Sequence, residues 1–77
     1  MKEDIINIIN ILGVGHKEIV VNIELDKLLI DTIEIRNNDT IIIHHFMGDL
    51  DLEIDYEDID LIYQKEIYYT LNSLLYN

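Results

Sequence analysis

The sequence predicts an α+β fold, an antiparallel four-stranded meander with N- and C-terminal helices in the order α-β-β-β-β-α. Three observations carry this. Apolar residues recur at helical spacing in residues 3–12 and again from about 58 to 76. Between those stretches they mostly alternate with polar residues, and three short turn signals interrupt the alternation. Turns this short join antiparallel strands, so the helices are expected together on one face of the sheet.

Ile5, Ile8, Ile9 and Leu12 fall on one helical face, with Glu3 and Asp4 in the first turn and Gly13 placed as a C-cap. Residues 18–25 alternate, with Ile19, Val21, Ile23 and Leu25 opposite Glu18, Asn22 and Glu24. Asp26-Lys27 turns into a second strand over about 29–36, where Ile33 and Ile35 flank Glu34. Asn37-Asn38-Asp39 is a hairpin signal, because Asn and Asp tolerate left-handed turn conformations. The third strand, about 40–47, begins with Ile41-Ile42-Ile43, apolar on both faces and therefore central. Gly48-Asp49 leads into a fourth strand, with Leu50, Leu52, Ile54 and Tyr56 on one side and Asp49, Asp51, Glu53 and Asp55 on the other. The last helix presents Ile59, Ile62, Tyr63, Ile67, Leu71, Leu74 and Leu75 as its apolar stripe, capped by Asp58 or Asp60. The expected core comprises Ile41, Ile43, Leu50, Leu52, Ile54, Ile62, Ile67 and Leu71, with Tyr56 and Tyr63 also inward.

A length of 77 residues permits a single domain, residues 1–77, and no second core. Hydrophobic residues make up 49% and Ile alone occurs seventeen times, which excludes intrinsic disorder. A core this small supplies only about 3–5 kcal/mol, so pairing with another chain, including a homodimer, is a natural source of further stability. The fourth strand is too charged to pair with its own copy, so a dimer would use the first strand or the apolar helix flanks. There is no Cys, so disulfides and thiolate metal sites are excluded. Glu3 and Asp4 stand where a secretory signal needs cations, and the uncharged run from Ile5 to Gly15 is too short to span a bilayer. A cytoplasmic protein with no membrane partner is expected.

The formal net charge is −11, which argues against direct nucleic-acid binding. The charge is also uneven: residues 37–64 carry eight acids and no base. Alternate residues on a strand stand roughly 6.6–6.8 Å apart, comparable to successive phosphates. Asp49, Asp51, Glu53 and Asp55 therefore form a short phosphate-like track, which Glu57, Asp58 and Asp60 extend around a corner. Such a track suits a basic nucleic-acid groove. A solvated face kept acidic for solubility and edge protection is the plainer reading, but such a face usually mixes in Lys, and here none appears.

Other chemistry is weakly represented. Asp49-x-Asp51-x-Glu53 with Asp60 at the twelfth position imitates a calcium loop, yet Ile54 stands where the sharp turn requires Gly. His44 and His45 are adjacent on a strand and point to opposite faces, so they cannot share one metal ion; one of them with a cross-strand carboxylate would bind only weakly, and no metal or other cofactor is expected. Gly13-x-Gly15 is not preceded by a strand and has Glu18 where a dinucleotide fingerprint has its third glycine. His16 has no evident partner, and the single Ser, Ser73, sits inside the last helix. Without a pocket to shift carboxyl pKa values, no enzymatic activity is expected. Tyr68 lies with Asp60, Gln64 and Asn72 on the polar side of the last helix, where it can anchor a partner beside the acids.

In size, acidity, AT-rich composition (no Ala, Pro or Trp) and the acidic row over 49–60, the chain resembles the small acidic phage proteins that inhibit bacterial defence, including anti-CRISPR proteins and other DNA mimics. The resemblance is one of kind and carries no residue roles. It implies a non-enzymatic inhibitor of a basic nucleic-acid-binding protein of the host, foremost a CRISPR effector, acting by acidic-surface occlusion. The expected partner-binding residues are Asp49, Asp51, Glu53, Asp55, Glu57, Asp58, Asp60 and Tyr68. The alternative is an acidic antitoxin or immunity protein that neutralises a basic toxin; a third is a structural subunit whose acids only maintain solubility.

Overall fold

Three tight hairpins build the sheet. A computed structural model of the chain describes residues 1–14 and 17–76, so the expectations placed on Gly15 and His16 lie outside the described residues. The elements are α1 (Lys2–Leu12), β1 (Glu18–Leu25), β2 (Leu28–Arg36), β3 (Thr40–Met47), β4 (Leu50–Asp55), a 3₁₀ turn (Tyr56–Asp58) and α2 (Leu61–Leu75). The strands pair antiparallel in sequence order, which makes the chain an α+β meander with terminal helices. Each hairpin loop is set by a residue that accepts a positive φ: Asp26 at 51°, Asn37 and Asn38 at 57° and 68°, and Gly48 at 68°.

The pairing is not uniform. The β1–β2 register steps between Val20 and Ile23, where Asn22 adopts φ 50°, and the β2–β3 register steps between Ile30 and Thr32. The second step leaves Asp31 as an extra residue and so lets Ile30 share the core face with Ile33 and Ile35 despite the odd spacing. A row of isoleucines crosses the sheet there, Ile19 beside Ile33, Ile43 and Ile54. Both helices pack on that face and on each other, and one buried cluster joins Ile5 and Ile9 of α1 to Ile23, Ile33, Ile43, Tyr56, Ile67 and Leu71.

Four of the eight expected core residues, Ile41, Ile43, Ile67 and Leu71, are buried. Leu52 and Ile54 are only half-buried, and Leu50 and Ile62 are 62% and 67% exposed. The first departure has a topological cause: β4 is an edge strand, and the helices lean towards β1, so the β3–β4 tip carrying Met47 and Leu50 extends past their cover. The second comes from the rotation of α2. The 3₁₀ turn inserts Tyr56 into the core, where its hydroxyl donates to the Gln64 carbonyl at 2.8 Å, and Gln64 Nε2 donates back to the Ile59 carbonyl at 2.8 Å. This clamp draws Gln64 and Tyr68 towards the sheet and turns Ile62 and Leu74 out. Tyr63 is likewise half-buried rather than core, and its hydroxyl donates to Asp26 in the first hairpin loop at 3.1 Å.

Candidate functional site

The sheet face away from the helices carries Glu34 and Arg36 of β2, Ile42, His44 and Phe46 of β3, and Asp51, Glu53 and Asp55 of β4. Cross-strand pairing sets Asp51 beside Phe46, Glu53 beside His44 and Asp55 beside Ile42. Three of the four acids of the alternating row therefore line the open face along the β4 edge, and Asp49 stands exposed in the hairpin loop before them. Glu57, Asp58 and Asp60 follow around the corner, all exposed.

These acids are not equivalent. Arg36 reaches across the sheet to Glu53, with Nη2 to Oε1 at 3.1 Å and Nη1 to Oε2 at 3.3 Å, and the same guanidinium holds Glu34. The bond from Arg36 keeps the Glu53 carboxyl below the usual carboxylate range, and Arg36 is itself shifted up, first by Glu53 and then by Glu34. Glu57 pairs with Lys2 of α1 at 3.0 Å, a contact that raises the lysine. Asp55 is half-buried, and its Oδ1 accepts from the Glu57 backbone N–H at 2.9 Å, capping the 3₁₀ turn. Asp49, Asp58 and Asp60 pair with no cation among the described residues. The expectation of a row without interleaved base is thus corrected: bases absent from the segment arrive from β2 and α1 in space. Asp60 is the N-cap of α2 by position, but its side chain makes no capping bond.

Tyr68 also stands differently from the expectation. Its ring packs against the core cluster and meets Tyr69 edge-to-face, with centroids 5.5 Å apart. Tyr69, rather than Tyr68, is the outward ring of the pair. Ser73 is exposed on α2.

Sequence reasoning missed the polar network at the centre of the open face. His44 Nε2 lies 2.7 Å from Glu34 Oε1, and the ligand atoms of Glu34, His44 and Glu53 all fall within 4.8 Å of one another. Hydrogen bonding to His44, with a further bond from Arg36, holds the Glu34 carboxyl below its ordinary value. The signal lay in the loop lengths: a loop pairing Arg36 with Thr40 and one pairing Met47 with Leu50 set His44 opposite Glu53 and place Glu34, opposite Ile42, diagonally beside His44 on the same face. On the opposite face His45 is 7% exposed between Ile30 and Leu52, and its Nδ1 has no hydrogen-bond partner among the described residues.

No helix among the described residues is long and apolar enough to cross a membrane. No family model, curated protein or solved structure matches the chain.

Proposed function

We propose that the protein is a non-enzymatic inhibitor of a basic nucleic-acid-binding protein of its host, foremost a CRISPR effector, and that it works in the host cytoplasm by laying its acidic edge into a groove lined with Lys and Arg. The observation that carries this reading is the line of exposed carboxylates that runs from Asp49 along the β4 edge to Asp58 and Asp60. It sits at a rim of the molecule, where a partner meets it without clashing with the sheet. Asp49, Asp58 and Asp60 form no ion pair among the described residues, and their charge steers a basic surface within a Debye length of about 8–10 Å. Asp58 and Asp60 also line a surface groove with apolar walls from Leu28, Ile54 and Ile59 and with Lys27 at its rim, so charge and contact area adjoin. Tyr69 takes the anchoring role expected of Tyr68, because its ring is the exposed one.

The test begins with capture of the partner from host lysate and its identification by mass spectrometry. Affinity for the purified partner is then measured at low and high salt, with single-stranded and duplex nucleic acid as competitors. The proposal expects competition by nucleic acid and a steep salt dependence. The triple variant Asp49→Asn, Asp58→Asn, Asp60→Asn should bind more weakly and with a shallower salt slope, while keeping its melting temperature. A partner that binds its nucleic acid and the wild-type chain together, or equal affinity in the variant, overturns it. A small basic toxin as the captured partner would select the antitoxin reading instead.

A further inference from the structure

We infer that His44, Asp51 and Glu53 bind one first-row divalent cation of the zinc type, with Glu34 as the carboxylate that orients the imidazole. The inference does not rest on the inhibitor reading, and its test is separate. It starts from the tautomer. A carboxylate offers only acceptors, so the 2.7 Å contact between Glu34 Oε1 and His44 Nε2 requires the proton on Nε2. In the neutral ring the lone pair then resides on Nδ1. That atom faces the other way, 3.8 Å from Asp51 Oδ1 and 4.0 Å from Glu53 Oε1, with no hydrogen bond among the described residues.

A lone pair facing two carboxylates is relieved by a positive charge between them, either a proton on Nδ1 or a divalent cation that competes with it for the lone pair. Ligands at about 2.0–2.1 Å from a tetrahedral zinc are about 3.3 Å apart, so the 3.8 and 4.0 Å separations from Nδ1 close by well under an ångström, and Asp51, which stands outside the Glu34–His44–Glu53 cluster, must swing in to complete the set. Asp51 is exposed, and it moves at little cost. Glu53 Oε1 accepts from Arg36 Nη2 at 3.1 Å and keeps a second lone pair for a metal. The Glu34–His44–metal arrangement is the one in which a carboxylate fixes the ring and raises its basicity as a ligand. One imidazole nitrogen with two carboxylate oxygens favours zinc, cobalt, nickel or copper over magnesium or calcium, which take oxygen alone. Three protein ligands leave the fourth position to water. The ladder holds the site in register, since His44 pairs with Glu53 across β3 and β4.

The probes are zinc and cobalt chloride added to the full chain after treatment with chelator. Calorimetry should report one zinc per chain, the melting temperature should rise with zinc, and cobalt should develop visible absorption. His44→Gln should abolish binding, and Asp51→Asn should weaken it at least tenfold. Asp51 makes no hydrogen bond among the described residues, so its variant keeps the fold. Glu34→Gln should weaken binding by about 10–100-fold, the range for a lost orienting carboxylate. Arg36→Gln should tighten it, because Glu53 is then released to the metal. His16→Gln should leave it unchanged. Ring-nitrogen NMR of the zinc form should place the metal on Nδ1. Undiminished zinc binding in His44→Gln or Asp51→Asn, ligation through Nε2, or no binding at millimolar zinc each overturns the inference.

Discussion

Tyr56 offers a direct reading of how the corner between β4 and α2 is held. The ring is 1% exposed, and its hydroxyl donates to the Gln64 carbonyl. Burial pushes the phenol from 10.0 up to about 12. The unfolded chain ionises Tyr56 near its ordinary value, while the folded chain holds it neutral. The stabilising contribution is therefore complete below pH 10 and is lost as pH rises through about 12. A shift of this size corresponds to about 2–3 kcal/mol, a large part of the ~3–5 kcal/mol that a core of this size supplies. The assay is urea unfolding followed by far-UV circular dichroism from pH 8 to 12, run on the wild type and Tyr56→Phe. The variant should be less stable at pH 8 by about 1 kcal/mol, the worth of one hydrogen bond, and should lose less stability through the alkaline range. Lysine deprotonation and the other tyrosines, including Tyr63 with its raised pKa, act alike in both proteins, so the difference isolates Tyr56. Parallel alkaline losses in the two proteins would refute the argument.

Further outcomes follow from burial and backbone geometry. Ile43→Ala removes a side chain with no exposure from the centre of the isoleucine row and should lower stability by about 2–4 kcal/mol; Ile54→Ala, half-buried in β4, should cost about half as much in the same urea titration. His45→Leu replaces a buried ring whose Nδ1 has no partner among the described residues and should raise stability by about 1 kcal/mol, read as a higher melting temperature. Gly48→Ala should lower it by about 1 kcal/mol through backbone strain alone, since φ is 68° and nothing among the described residues lies within 4 Å of a new Cβ, and Gly48→Asn should lower it less.

The fold was readable because its signals were local. The helical spacing at the ends, the alternation of β4 and the three turn signals each act within a few residues, and together they determine the meander. The burial expectations failed where non-local packing decided. Leu50 alternates as an inward residue should, but alternation says only which side of a strand a residue takes, not whether a helix covers that side. Ile62 belongs to a plausible stripe, yet the helix rotates to satisfy the Tyr56–Gln64 clamp, a contact between two elements. The Asp31 step is equally silent in composition, and it alone explains how Ile30 and Ile33 share a face.

The acidic site divides in the same way, and the division bears on what the acids do. Their positions were readable from alternation, whereas their compensation by Arg36 and Lys2 depended on strands and helices meeting in space. Charges on an edge strand guard its unpaired backbone against another strand, and Asp51, Glu53 and Asp55 serve that purpose whatever else the protein does. Asp49 in the hairpin loop and Asp58 and Asp60 beyond the strand guard no ladder. Like Asp55, they pair with no cation among the described residues, in a protein whose net charge of −11 already exceeds what solubility asks of a small domain. Edge protection thus accounts for the middle of the row and leaves its two ends unexplained. Neutralising the ends keeps the guarded edge, the Arg36 pair and the cation-site ligands intact, so lost affinity there would report recognition rather than damage to the sheet.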